Sequence, residues 1–188
     1  MTRMDRQAYG EYWEGAHEWN RYLEDEVQVH RQLWEGVYRK SEAPEWAIKR
    51  VSQLPGQWKL LVLSEDWCGD ASNTVPVLAR FAESAPNVAL RIAKRDEVPE
   101  LMDEYLTNGS RSIPLAILLD CDDQPVGRWG PRPKDLQEFV LREKRRGDRS
   151  KEEIYKDTRG WYARDRGEST LKELLEVMEY ASRTTHPC

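Results

Sequence analysis

No run of consecutive apolar residues comes near the roughly 18 that a membrane-spanning helix needs; long stretches such as residues 60–63 and 114–119 fall far short. Residues 1–9 are polar and charged, unlike the apolar centre of a secretory signal. Neither sign of charge dominates. Lys and Arg number 29 against 34 Asp and Glu, for a net charge of −5 with the signs interspersed, so a nucleic-acid face is not expected. Cysteine is sparse: Cys68, Cys121 and Cys188 form an odd set with no short-spaced pair. That argues against a disulfide scaffold and makes a reducing, cytoplasmic location the expectation. Glycine-rich phosphate loops, nucleophilic serine constellations and paired catalytic carboxylates are all missing. No metal is expected either. His17 and His30 point to different sides of one helix at about 100° per residue, and Asp120, Asp122 and Asp123 lack the ligand spacing of a calcium loop.

What is present suits one domain with additions, since 188 residues at 39% hydrophobic content can bury a sizeable core. Between residues 11 and 40, Tyr12, Ala16, Trp19, Leu23, Val27, His30, Trp34 and Val37 recur every three or four positions and predict one long amphipathic helix. Residues 45–54 read as a second, short helix. From Trp58 the period changes. The apolar run 59–63 reads as a strand buried on both faces, followed by a helix at 74–83, a strand at 88–94 and a helix at 98–106. Strands at 115–120 and 125–129 form a hairpin, a helix covers 135–143, and the basic stretch 144–149 reads as a solvated linker. Leu171, Leu174, Leu175 and Met178 mark a C-terminal helix. The order β-α-β-α-β-β-α predicts an α/β domain with a mixed sheet. The expected division is a helical extension over residues 1–57, a core over 58–143, and a linker with a packed helix over 144–188. The tryptophans of the extension fit packing better than a stacking surface.

The chemistry concentrates at Ser64-Glu65-Asp66-Trp67-Cys68-Gly69-Asp70-Ala71, between a buried strand and a helix. A cysteine at a helix start meets backbone N–H groups and the positive end of the dipole, which favour thiolate. The segment resembles the thioredoxin superfamily, whose motif is Trp-Cys-Gly-Pro-Cys at such a junction. Pro76 matches the proline within the active-site helix of that family, and Ser112-Ile113-Pro114 before residues 115–119 resembles the step where thioredoxins place a cis-proline facing the cysteine. Together with Gly130-Pro131-Arg132-Pro133, the motif looks like a bacterial group of single-cysteine thioredoxin family proteins. The resemblance implies a thioredoxin fold, a site formed by Cys68 with Trp67, Gly69, Asp70, Ala71, Ile113 and Pro114, and a part in cell redox homeostasis.

The departures limit what that site can do. Ala71 stands where a dithiol oxidoreductase has its resolving cysteine, and Val62 where thioredoxins bury the carboxylate that moves its proton, so a dithiol reductase is excluded. Cys121 falls at the far end of a strand that starts at Pro114, roughly 20 Å away. Topology gathers Arg95, Arg111 and Arg132 near Cys68, either to lower its pKa and hold an anion or partner, or to pair with Asp66, Asp70 or Asp96. Two functions remain open. In the first, Cys68 is a monothiol nucleophile whose mixed disulfide an external low-molecular-weight thiol such as glutathione, serving as co-substrate, or a partner protein resolves. In the second, the domain is a non-catalytic module that binds a protein segment or small anion. The helix start and arginines lead the sequence to predict a Cys68 pKa below the ordinary thiol value of about 8.5.

Overall fold

The computed structural model of the chain describes residues 6–185, so His186 and Cys188 lie outside the described residues. Its centre is strand β1, Trp58–Ser64, in which Leu60, Leu61, Val62 and Leu63 are wholly buried. A strand apolar on both sides must be covered on both faces, and flanking strands then satisfy its main-chain groups. β2, Val88–Lys94, lies parallel to β1, whereas β3, Leu115–Leu119, lies antiparallel on the other side with β4, Pro125–Trp129, at the far edge. The order is therefore β2-β1-β3-β4, a mixed sheet flanked by helices. This is the α/β thioredoxin fold.

Register decides where the site lies. Ser64 at the end of β1 pairs with Lys94 at the end of β2, and Leu63 pairs with Leu115 at the start of β3. Ala116 pairs with Trp129, so the end of β4 reaches the same edge. Helix α5, Gly69–Ser84, leaves that edge just after β1. It is buried almost all round because neighbours cover it from several sides, which is why its sequence carries no clean amphipathic stripe.

The N-terminal region departs from the expected single helix. Helix α1, Arg6–Gly15, ends before His17, which exchanges two 2.8 Å main-chain hydrogen bonds with Ile92 and so extends the sheet beyond β2. A short turn α2, Trp19–Arg21, runs into a π turn over Tyr22–Glu26, and α3, Arg31–Lys40, begins only after His30 in left-handed conformation. The gap is held by Asp66, whose carboxylate accepts the N–H groups of Gln28 and Val29 at 2.9 and 2.7 Å. Trp34 is fully buried and donates its indole N–H to the Asp66 carbonyl at 3.1 Å. Trp13 and Trp19 are also in the core, and α4, Glu45–Ser52, packs against α5.

After the short α6, Pro99–Asp103, the C-terminal third also differs from expectation. The stretch read as a linker continues helix α7, Lys134–Arg146, which stops at Gly147 in left-handed conformation. A helix that the periodicity did not predict follows: α8, Lys151–Asp165, opened by a capping box between Ser150 and Glu153. Leu136, Val140, Ile154 and Tyr162 form a small separate core between α7 and α8. Helix α9, Glu168–Thr184, then packs along β4 and α4. It starts at Gly167, where φ is +83° and an added Cβ would lie 2.5 Å from Val77 Cγ1, so only glycine fits the turn that joins α8 to α9. No described helix is long and apolar enough to cross a membrane.

Asp66→Ala should lower the unfolding free energy by about 2 kcal/mol, because it removes two main-chain hydrogen bonds to a charged acceptor. Urea denaturation followed by far-UV circular dichroism measures this, and the change should be larger than for Glu97→Ala.

Candidate functional site

Cys68 caps α5. Its sulfur accepts the Ala71 N–H at 3.4 Å and donates to the Ile113 carbonyl at 3.6 Å, which places it between the helix start and the loop before β3. The Ile113–Pro114 bond is cis, and so is Gly130–Pro131, the second of which the sequence reading did not anticipate. Gly130 is obligatory here: its φ is +125°, and a Cβ would lie 2.3 Å from the Pro114 carbonyl oxygen. Three segments thus close around the thiol, which is only 8% exposed.

Burial sets the protonation of Cys68. It pushes the thiol pKa up, and the neighbouring Asp70 carboxylate adds to the rise, while the Ala71 and Asp70 N–H groups and the Arg132 guanidinium oppose it without prevailing. This corrects the expectation of a lowered pKa, because a helix start activates a cysteine only when water or a cation can reach the sulfur. Gly69 and Ala71 complete the first turn as the motif implied. Trp67 projects outward, 48% exposed, with the Arg95 guanidinium 5.0 Å from its ring centre.

The three arginines do reach the same pocket as Cys68, yet each already has a carboxylate. Arg132 donates to Asp70 at 2.5 Å, Arg95 pairs with Asp96 at 2.8 Å, and Arg111 holds Asp103 through two 2.7 Å bonds. Of the pairings expected by sequence, the Asp70 and Asp96 ones form, while Asp66 serves main-chain groups instead. Asp70 is itself buried and takes a second contact, the Tyr162 hydroxyl of α8 donating to its Oδ1 at 3.0 Å. Burial first, and the Asp70 charge second, raise the Tyr162 pKa well above its ordinary value, so the phenol stays a donor. On the other side Glu65, also buried, accepts the Asp96 N–H at 2.9 Å and joins the ends of β1 and β2.

Above the thiol opens a pocket of about 590 Å³, within the range of small-molecule sites. Its wall includes residues that sequence reasoning missed: Lys144 at the end of α7, and Tyr155, Thr158 and Arg159 on α8. The only signal for them was the Ser150-x-x-Glu153 capping pattern, which announces a helix start in what looked like a linker. A larger hollow of about 750 Å³ lies between β4 and α9, and Cys68 is not among its lining residues. Cys121, two residues beyond β3, is at the opposite edge of the sheet from Cys68 and is disulfide-bonded, a correction to the expectation of a fully reduced chain. Among the described residues no group of His, Cys, Asp and Glu is arranged to hold a metal.

A family model described as thioredoxin matches residues 16–151. The chain belongs to the thioredoxin family. The match starts well before residue 58 and runs past residue 143, so the helices preceding β1 share in it. No curated protein matches the chain. Among solved structures, a protein of unknown function from Pseudomonas aeruginosa is 20% identical with a TM-score of 0.73, covering 92% of this chain and 98% of its own. An HIV epitope-scaffold is also 20% identical, with a TM-score of 0.68, covering 91% of this chain and 97% of its own. At that identity both share the fold alone with this thioredoxin family member.

Removing one donor from the buried carboxylate should be costly. Tyr162→Phe should lower the unfolding free energy by about 1–3 kcal/mol, and Arg132→Ala by about 3–5 kcal/mol because it leaves Asp70 buried without its countercharge. Chemical denaturation of the two variants beside the parent checks both values and their order.

Proposed function

We propose that this protein is a non-catalytic member of the thioredoxin family, a binding module whose pocket above Cys68 takes a small ligand or an extended protein segment. The observation that carries the reading is the state of Cys68: a buried sulfur acting as hydrogen-bond donor to the Ile113 carbonyl, with its pKa raised by burial. Thiol–disulfide exchange needs thiolate that a disulfide can approach in line. At neutral pH this thiol supplies little of either requirement, and Ala71 denies it a resolving partner. The thiol acts instead as a shape and hydrogen-bond element at the pocket floor, with Trp67 and Ile113 as apolar surface.

The monothiol reading draws on the Ala71 N–H and the Arg132 charge, both of which favour the thiolate. The pH dependence of alkylation separates the two. Labelling with iodoacetamide, quantified peptide by peptide in the mass spectrometer, should show a Cys68 rate that rises only above the ordinary thiol value of about 8.5. A midpoint below 7.5 would establish the monothiol reading and overturn ours. The protein should also fail to accelerate insulin reduction by dithiothreitol.

Linkage gives an independent check. The unfolded thiol ionises near about 8.5 and the folded one higher, so the stability that Cys68 contributes is fully present below that pH. It is lost as pH climbs through the folded value. Between pH 8 and pH 10 the parent should therefore lose unfolding free energy relative to Cys68→Ala, as read from denaturant midpoints at each pH.

A further inference from the structure

The pocket wall has a charge imbalance that its own ion pairs do not cancel. Five Lys and Arg side chains line it against one carboxylate, Asp70. Asp70 is taken by Arg132, and Arg95 and Arg111 are paired with Asp96 and Asp103. Lys144 and Arg159 are what is left. Neither has a carboxylate within ion-pairing distance among the described residues, and both are exposed, so keeping them charged costs nothing in solvation. They come from the two helices of the small α7–α8 core, which presents both cations to the mouth above Cys68. Arg132, on the same wall, leaves its Nε without a partner.

The rest of the wall divides into two kinds of surface. Thr107, Asn108, Ser110 and Ser112 offer neutral donors and acceptors from the loop before Pro114. Trp67 and Leu141, both exposed, offer apolar area. A bare inorganic ion would use only the cations, whereas an organic body fills the remaining surface of a pocket of about 590 Å³.

We propose that this pocket binds an organic anion with two or more negative charges, held between Lys144 of α7 and Arg159 of α8. A guanidinium presents a planar fork that carboxylate and phosphate oxygens both match, and a lysine adds a mobile point charge. The proposal rests on the binding-module reading and supplies its ligand class.

Isothermal titration calorimetry tests it on the full chain with four probes: tri-glutamate for carboxylates, phenyl phosphate for an organic phosphate, inorganic phosphate, and tri-lysine. At least one of the first two should bind, and which of them does identifies the anionic group. In the Lys144→Gln/Arg159→Gln double variant that affinity should fall at least about tenfold, and in the parent it should weaken as salt rises from 50 to 300 mM. The thermal midpoint of the variant, whose substitutions are exposed and unpaired, should match that of the parent. Four results would overturn the proposal: no binding of either organic anion, binding that survives the double substitution, equal binding of tri-lysine, or inorganic phosphate binding as tightly as the organic probes. The alkylation midpoint is measured separately, so absent anion binding with a high Cys68 midpoint removes this inference alone, and a low midpoint removes the reading beneath it.

Discussion

The buried carboxylate of Asp70 is the constraint around which the site end of the molecule is built. It lies in the first turn of α5, against the thiol, where isolated negative charge would be expensive to desolvate. Its neutralisation recruits Arg132 from the segment after β4 and Tyr162 from α8. Three stretches that are remote in sequence are thereby tied at one point. The loop carrying Arg132 must pass close to Pro114, which Gly130 permits, and α8 must fold back over α5, which the turn at Gly167 permits. The geometry of the extension follows from a charge that has to be answered.

The same arrangement explains why the Cys68 pKa is raised although the residue sits at a helix start. The Arg132 guanidinium lowers the Cys68 pKa, but it is paired with Asp70, whose charge raises it. With that countercharge spent and water shut out, the helix start is left to stabilise the thiolate alone, and desolvation exceeds it. Around the thiol stand an exposed tryptophan and a cationic mouth.

Much of this was legible in the residues and some was not, for reasons that differ by element. β1 and β3 stand out because burial on both faces demands unbroken apolar runs, and the helix after Trp67-Cys68-Gly69 stands out because of its motif. The break in the N-terminal helix was hidden. Gly15 is its one local mark and no proline accompanies it, and the break depends on partners distant in sequence, Ile92 for His17 and Asp66 for Gln28 and Val29. Helix α8 was hidden for another reason: its inner face is Ile154, Thr158 and Tyr162, and two of these three carry hydroxyls, Tyr162 donating to Asp70 and Thr158 to the Ile154 carbonyl of its own helix, so the apolar stripe is broken. The arginines were placed correctly near the thiol, but proximity in topology does not reveal which carboxylate has claimed each one.

The His17–Ile92 bridge has a consequence for handling the protein as well as for its shape. An outer strand such as β2 exposes a row of unused main-chain donors and acceptors on which a foreign strand can template. Two of those groups, midway along β2, are occupied by His17, and the helices on either side of that residue lie along the rest. The leading segment is thus a guard against strand addition. A chain trimmed to start at β1 would keep every strand of the sheet and lose the element that keeps the sheet from growing.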